Sequence, residues 1–127
     1  MIRILALACV MIATAAQAQT PEGLFGNPSH FTEPTGEAVY RGICAGCHMP
    51  AGQGAIGAAA YPALAQNPRL AVSAYPILRV LRGKGAMPGF AGTLSNQQIA
   101  DIVAFIRQNF GNADPGPVTP EQVQSLR

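Results

Sequence analysis

Cys44-Ala45-Gly46-Cys47-His48 is the stretch that decides how the rest of the chain reads. Two cysteines separated by two residues, with a histidine directly behind the second, have the spacing of covalent haem attachment. Each thiol adds across one of two vinyl groups on neighbouring pyrroles, and one helical turn brings both sulfurs within reach. The next residue then aims its imidazole at the iron. Ala45 and Gly46 are small, which lets the backbone lie close to the porphyrin edge. Other uses of the motif fit less well. A structural zinc site takes four protein ligands, whereas Cys44, Cys47 and His48 give three, and the other histidine, His30, sits in an irregular stretch. A thioredoxin-like C-x-x-C wants a βαβ setting, and a Cys44–Cys47 disulfide would staple almost nothing.

Upstream, Thr35 is placed to cap a helix from Gly36 to Ile43 that runs straight into Cys44. Downstream, Met49 to Ala60 is rich in glycine and alanine and reads as loop. Tyr61-Pro62-Ala63-Leu64 reads as a tight turn followed by a short helical piece. Ala74 to Arg82 carries apolar residues at 77, 78 and 81, the spacing of a helix face, and Gly83 and Gly85 end it. Ser95 with Gln98 forms a capping box for the clearest helix, whose stripe is Ile99, Ile102, Val103 and Ile106, with Gly111 as its stop. Thr119-Pro120-Glu121-Gln122 opens a last short helix. No strand pattern exceeds a few residues, so the fold class expected is all-α.

The chain has 127 residues, about one domain, with 49% hydrophobic and only 11% charged residues. A formal charge of +2 argues against bulk nucleic-acid binding. Residues 1–18 read as a secretory signal peptide: Arg3, an apolar run from Ile4 to Ala13, then Ala16-Gln17-Ala18 as the cleavage signal. An uncleaved anchor, or a lipoprotein cut at Cys9, are the alternatives. The apolar run is too short to span a bilayer, which takes about 20 residues, so no membrane span is expected in the mature chain and the location implied is periplasmic. Residues 19–35 read as an irregular extension. Residues 112–127 read as a proline-rich linker and short helix, free to pack back, touch a partner or stay loose.

A haem histidine leaves a sixth iron position to fill. Met49 follows His48 directly and cannot reach the opposite face. Met87 lies in Gly85-Ala86-Met87-Pro88-Gly89-Phe90, where Pro88 fixes the backbone just after the sulfur. Met87 is the candidate distal ligand, with His30 or an open sixth position as alternatives. Metal-bound histidines usually donate their other N–H to a fixed acceptor. The Pro62 carbonyl could serve, with Leu64 packing on the haem, though a plain turn proline fits equally. Arg79, Arg82 and Lys84 make a candidate docking patch or an ordinary solvated helix end, and Arg79 or Tyr75 could hold a haem propionate.

These residues together resemble the class I, mitochondrial-type c-type cytochromes over roughly Thr35 to Asn109. The resemblance implies the cytochrome c fold, short helices wrapped around one covalently bound haem c, with residues 36–111 as the domain. It implies Cys44 and Cys47 as thioethers, His48 as proximal ligand, the Pro62 carbonyl as its acceptor in a Pro-x-Leu segment with Leu64, and Met87 as distal ligand. It further implies a steep crossing of the first and last helices through Gly36, Tyr40, Ile102 and Phe105. Tyr61 to Pro68, Leu78 to Gly83, Ala86 to Phe90 and Val118-Thr119-Pro120 are similar to cytochrome c subunits of bacterial periplasmic dehydrogenases. That likeness implies a non-enzymatic electron carrier fed by a periplasmic dehydrogenase and emptied by a terminal oxidase or other acceptor of the respiratory chain. The alternative function is a haem protein with an open sixth site, binding small molecules or acting like a peroxidase.

Overall fold

The computed structural model describes residues 31–57, 60–113 and 116–127. The expected signal peptide, most of the 19–35 extension, Cys9 and His30 lie outside the described residues.

Thr35 is extended, and its hydroxyl accepts the Ala38 N–H at 3.1 Å, starting α1 (Gly36–Val39). The helix expected from Gly36 to Ile43 is present, but its middle is wider than an α-helix. Tyr40–Cys44 forms a π-helical turn, with the Ala45 N–H donating to the Tyr40 carbonyl, and α2 (Ala45–His48) follows without a break. One extra residue in the turn rotates everything after it by roughly 100° about the helix axis. Val39 and Tyr40 are buried in the core; beyond the turn Cys44 is half-buried against that core, Cys47 is exposed and His48 is buried. Met49 ends α2 in an extended conformation with positive φ (66°).

The all-α expectation holds for the long elements but needs an addition. β1 (Ala55–Ile56) and β2 (Ala60–Tyr61) pair antiparallel, Ala55 opposite Tyr61 and Ile56 opposite Ala60. Gly54 makes this possible: a Cβ there would lie 2.3 Å from the Tyr61 carbonyl oxygen. The short helical piece expected just after Tyr61 is displaced. The Leu64 and Ala65 N–H groups both turn to the Gly52 carbonyl, at 2.7 and 2.9 Å, and the next helical turn is a 3₁₀ turn at Pro68–Ala71, capped by Asn67.

α3 (Ala74–Arg82) buries Pro76, Ile77, Val80 and Leu81. Leu78, expected on the buried face, is half-buried, because the helix is turned toward Pro76 and Val80. α4 (Asn96–Gln108) has the expected capping box of Ser95 and Gln98 and buries its whole predicted stripe. It stops before Gly111. Asn109 is extended, and Phe110 takes a left-handed conformation (φ 59°) that sets its ring against Tyr40 and Phe105, centroids 5.1 and 5.6 Å apart.

The crossing of α1 and α4 is the centre of the fold. A Cβ on Gly36 would fall 2.1 Å from the Asp101 carbonyl oxygen, so the two backbones touch. The Tyr40 and Phe105 rings flank the contact at 5.5 Å. α5 (Pro120–Leu126), with a capping box of Thr119 and Gln122, packs back on α3 and α4 through fully buried Val123. Arg107 is 3% exposed inside this core, donating to the carbonyls of Leu70 (2.9 Å), Ala71 (3.1 Å) and Gly116 (3.2 Å). Among the described residues no helix is long and apolar enough to cross a membrane.

Candidate haem site

The π-turn and α2 place the three motif residues differently. Cys47 is exposed, Cys44 is half-buried, and His48 is buried. Burial, reinforced by the nearby Cys47 sulfur, pushes the Cys44 thiol up to about 11, so it is a neutral thiol at pH 7. The His48 Nδ1 lies 2.9 Å from the Pro62 carbonyl oxygen. A carbonyl can only accept, so Nδ1 carries a proton, and Nε2 is the nitrogen left to face a metal. Of the two readings of Pro62, acceptor or plain turn, the structure has the acceptor. The sequence folds that way because Gly54 and Gly52 pull the Tyr61–Ala65 segment against the end of α2: the Gly54 N–H donates to the His48 carbonyl at 3.0 Å, and Gly52 receives Leu64 and Ala65. Leu64, half-buried, packs against the core beside this segment. Opposite, the Tyr40 hydroxyl donates to the Met49 carbonyl at 2.7 Å, fixing the residue after His48.

Met87 is half-buried against the core at the tip of the loop between α3 and α4. Lys84 and Met87 exchange two backbone hydrogen bonds, at 3.0 and 3.1 Å, which makes a tight closed turn. A Cβ on Gly83 would stand 2.3 Å from the Met87 carbonyl oxygen, so glycine is required there by contact as well as by its φ of 69°. The loop then returns to α3, with the Phe90 N–H donating to the Val80 carbonyl at 2.9 Å.

The basic residues before this loop divide. Arg82 and Lys84 are exposed. Arg79 lies over the Tyr75 ring, its guanidinium carbon 5.1 Å from the centroid. The nearby Arg69 and Arg79 guanidiniums favour the ionised Tyr75 hydroxyl and hold it below the usual tyrosine range, Arg69 contributing most. The Arg79 Nε is buried with no hydrogen-bond partner among the described residues. Among the described residues no three His, Cys, Asp or Glu side chains gather as a metal-binding group.

A family model described as cytochrome c oxidase, cbb3-type, subunit III matches residues 32–106. Cytochrome c6 of Synechococcus elongatus is 38% identical over 73 residues, which cover 56% of this chain and 83% of that protein. The chain belongs to the cytochrome c family. It is also similar to the cytochrome c subunit of a quinone alcohol dehydrogenase from Gluconacetobacter polyoxogenes, 40% identical over 106 residues. The cytochrome c subunit of gluconate 2-dehydrogenase from Pantoea cypripedii is 34% identical over 107 residues. These matches cover 72% and 73% of the chain but only 22% and 24% of those relatives, so this cytochrome spans about a quarter of their length.

The cytochrome's residues fit covalent haem c. A buried imidazole with Nδ1 occupied and Nε2 free, and a thioether in a closed turn, are the donor set that haem iron takes. The unpartnered buried Arg79 Nε fits an anionic group such as a haem carboxylate, since a buried unsatisfied donor is costly otherwise. Three further supports escape the sequence reading. The Tyr40–Met49 and Arg107 hydrogen bonds depend on contacts between distant segments. The Lys84–Met87 pairing depends on backbone geometry, although Gly83 and Gly85 flanking Lys84 were the available signal.

Proposed function

We propose that this cytochrome is an electron relay in which Cys44 and Cys47 hold one haem c as thioethers. His48 binds the iron on one side and Met87 on the other. The observation that carries this reading is the 2.9 Å contact between buried His48 Nδ1 and the Pro62 carbonyl, one helical turn from Cys44. Haem iron, when held there, supplies an Fe(III)/Fe(II) couple at a potential raised by a thioether ligand.

The chain's own residues have distinct tasks. Pro62 holds the imidazole in one tautomer and orientation. The Lys84–Met87 turn delivers a sulfur from a backbone already closed on itself. Leu64 packs beside the Pro62 segment and shields the group. A site that is already ordered changes little between redox states, which suits fast transfer. With His48 and Met87 both holding the iron, the group would offer no site for a substrate.

The relatives support a dehydrogenase as partner. A periplasmic dehydrogenase as donor, and a terminal oxidase or other respiratory acceptor, fit a domain similar to cytochrome c subunits of quinone alcohol and gluconate dehydrogenases. The Ala16-Gln17-Ala18 signal supports export to the periplasm, with 36–111 as the helical cytochrome shell and 112–127 as its return segment. From Gly42 to Pro68 the sequence has no Asp, Glu, Lys or Arg, an uncharged stretch that includes exposed Cys47 and suits a small transient contact. The test is the exported protein on a denaturing gel stained for haem, followed by mixing with a substrate-reduced quinone-type alcohol dehydrogenase. Haem that stays with the chain, is lost in Cys44→Ser/Cys47→Ser, and is reduced within the mixing time supports the proposal. Retained haem with no reduction removes the dehydrogenase partner, and loss of haem from the wild-type chain removes the whole reading.

A further inference from the structure

The Met87 loop has few side chains with which to hold itself. Gly85, Ala86, Pro88, Gly89, Ala91 and Gly92 are all small or cyclic, and all are exposed. Its leading end is fixed by the Lys84–Met87 turn. Its trailing end, Phe90 to the start of α4 at Asn96, bonds to α3 through the Phe90 and Ala91 N–H groups and buries Leu94, and there the structure adds a fastening from outside. All three donor nitrogens of Arg127 go to this segment. Nη1 donates to the Ala91 carbonyl, Nη2 to the Leu94 carbonyl at 3.0 Å, and Nε to Asn96 Oδ1 at 2.9 Å. Asn96 is tied in turn to α5, its Nδ2 donating to Gln124 Oε1 at 2.8 Å. α5 itself cannot drift, because Val123 is 0% exposed and Leu126 packs on the same core.

We infer that Arg127 is a positioning residue for Met87: α5 acts as a brace that locks the trailing half of the ligand loop. The inference rests on Met87 being the distal ligand. The physical argument is one of populations. An external ligand reaches the iron only from states in which the sulfur has swung away, so its apparent affinity is its intrinsic affinity multiplied by the open fraction. A loop made of glycine, alanine and proline opens at low free energy unless backbone contacts oppose it. Arg127 ties two carbonyls and a side chain of that segment with a charged donor, the stronger class of hydrogen bond. Removing it enlarges the open fraction without touching His48, Pro62 or the α1–α4 crossing.

The experiment is a visible-spectrum titration of the ferric holoprotein with imidazole, for wild type, Arg127→Gln, Arg127→Lys, Asn96→Ala, Met87→Ala and Thr35→Ala. Arg127→Gln is expected to bind imidazole about five- to tenfold more tightly than wild type, the scale of losing hydrogen bonds from a charged donor at a partly exposed site. Asn96→Ala should move the same way by less, and Arg127→Lys should recover part of the loss. Thr35→Ala removes a helix cap far from the loop and costs similar global stability, so it should leave imidazole affinity unchanged. Equal affinity in Arg127→Gln and wild type overturns the brace. So does a gain in Thr35→Ala as large as that in Arg127→Gln, because the effect would then be general loosening. If Met87→Ala itself leaves imidazole affinity unchanged, the ligand assignment fails, and the brace fails with it for that separate reason.

Discussion

Gly36→Ala tests the packing that everything else hangs on. A Cβ at this position would lie 2.1 Å from the Asp101 carbonyl oxygen, 2.4 Å from its carbonyl carbon and 2.9 Å from the Ile102 nitrogen. These are backbone atoms inside α4, with no side-chain rotamer to swing aside. Restoring ordinary contact requires α1 and α4 to separate by more than 1 Å. Val39, Tyr40, Ile102 and Phe105 pack along this crossing and would lose contact together. Overpacking a rigid core costs about 1–3 kcal/mol, and the backbone clash puts this case at or above the upper end. Alanine's better helix propensity returns under about 1 kcal/mol. The expected net loss is about 2–3 kcal/mol, or a Tm lower by roughly 8–24 °C for a domain of this size. The assay is thermal unfolding of the holoprotein followed by far-ultraviolet circular dichroism. Gly42→Ala is the control: it lies in the π-turn, is exposed, and its Cβ would meet only Glu33 Oε1 at 3.8 Å. It should be neutral or stabilising by about 0.5–1 kcal/mol. A Gly36→Ala protein within about 1 kcal/mol of wild type would refute the close-crossing argument.

Further outcomes follow from other parts of the molecule. Arg107→Met strands the carbonyls of Leu70, Ala71 and Gly116 in a buried setting and should cost about 3 kcal/mol in guanidinium unfolding, with accelerated hydrogen exchange in residues 68–72. Tyr75 should titrate below the ordinary tyrosine value of 10.0, and Arg69→Gln should move it back up more than Arg79→Gln does, as read by NMR of carbon-13-labelled tyrosine. Because this acid is favoured in its ionised form on folding, its stabilisation is full above pH 10 and is lost as pH falls through the lowered value. The stability gap between wild type and Tyr75→Phe should therefore be wider in alkaline solution than at neutral pH, as read by denaturant unfolding at both pH values.

The parts legible in the sequence were those specified by neighbours along the chain. The Ser95–Gln98 and Thr119–Gln122 capping boxes need only four residues each, and both are present where expected. The C-x-x-C-H motif carries its chemistry in five. The π-turn at Tyr40–Cys44 was hidden because nothing in its own residues demands it. It joins a helix pinned to α4 at Gly36 to the haem motif. The β1–β2 pair was hidden because Ala55, Ile56 and Ala60 carry almost no strand pattern, and the hairpin depends instead on Gly54 touching Tyr61. Residues alone left Pro62 undecided between a turn and a histidine acceptor. The resemblance favoured the acceptor, and the 2.9 Å contact agrees with it. The brace from Arg127 and the buried role of Arg107 join segments more than thirty residues apart, beyond the reach of any local reading.

The central claim is that His48 and Met87 together close both axial positions of a covalent haem. The most direct measurement is the near-infrared absorption spectrum of the oxidised holoprotein, wild type beside Met87→Ala, with carbon monoxide binding to the reduced forms. The account predicts the weak sulfur-to-iron band in wild type, its absence in Met87→Ala, and rapid carbon monoxide binding only in the variant. A wild-type protein that lacks the band and binds carbon monoxide rapidly when reduced would contradict it, and would make this an open-site haem protein.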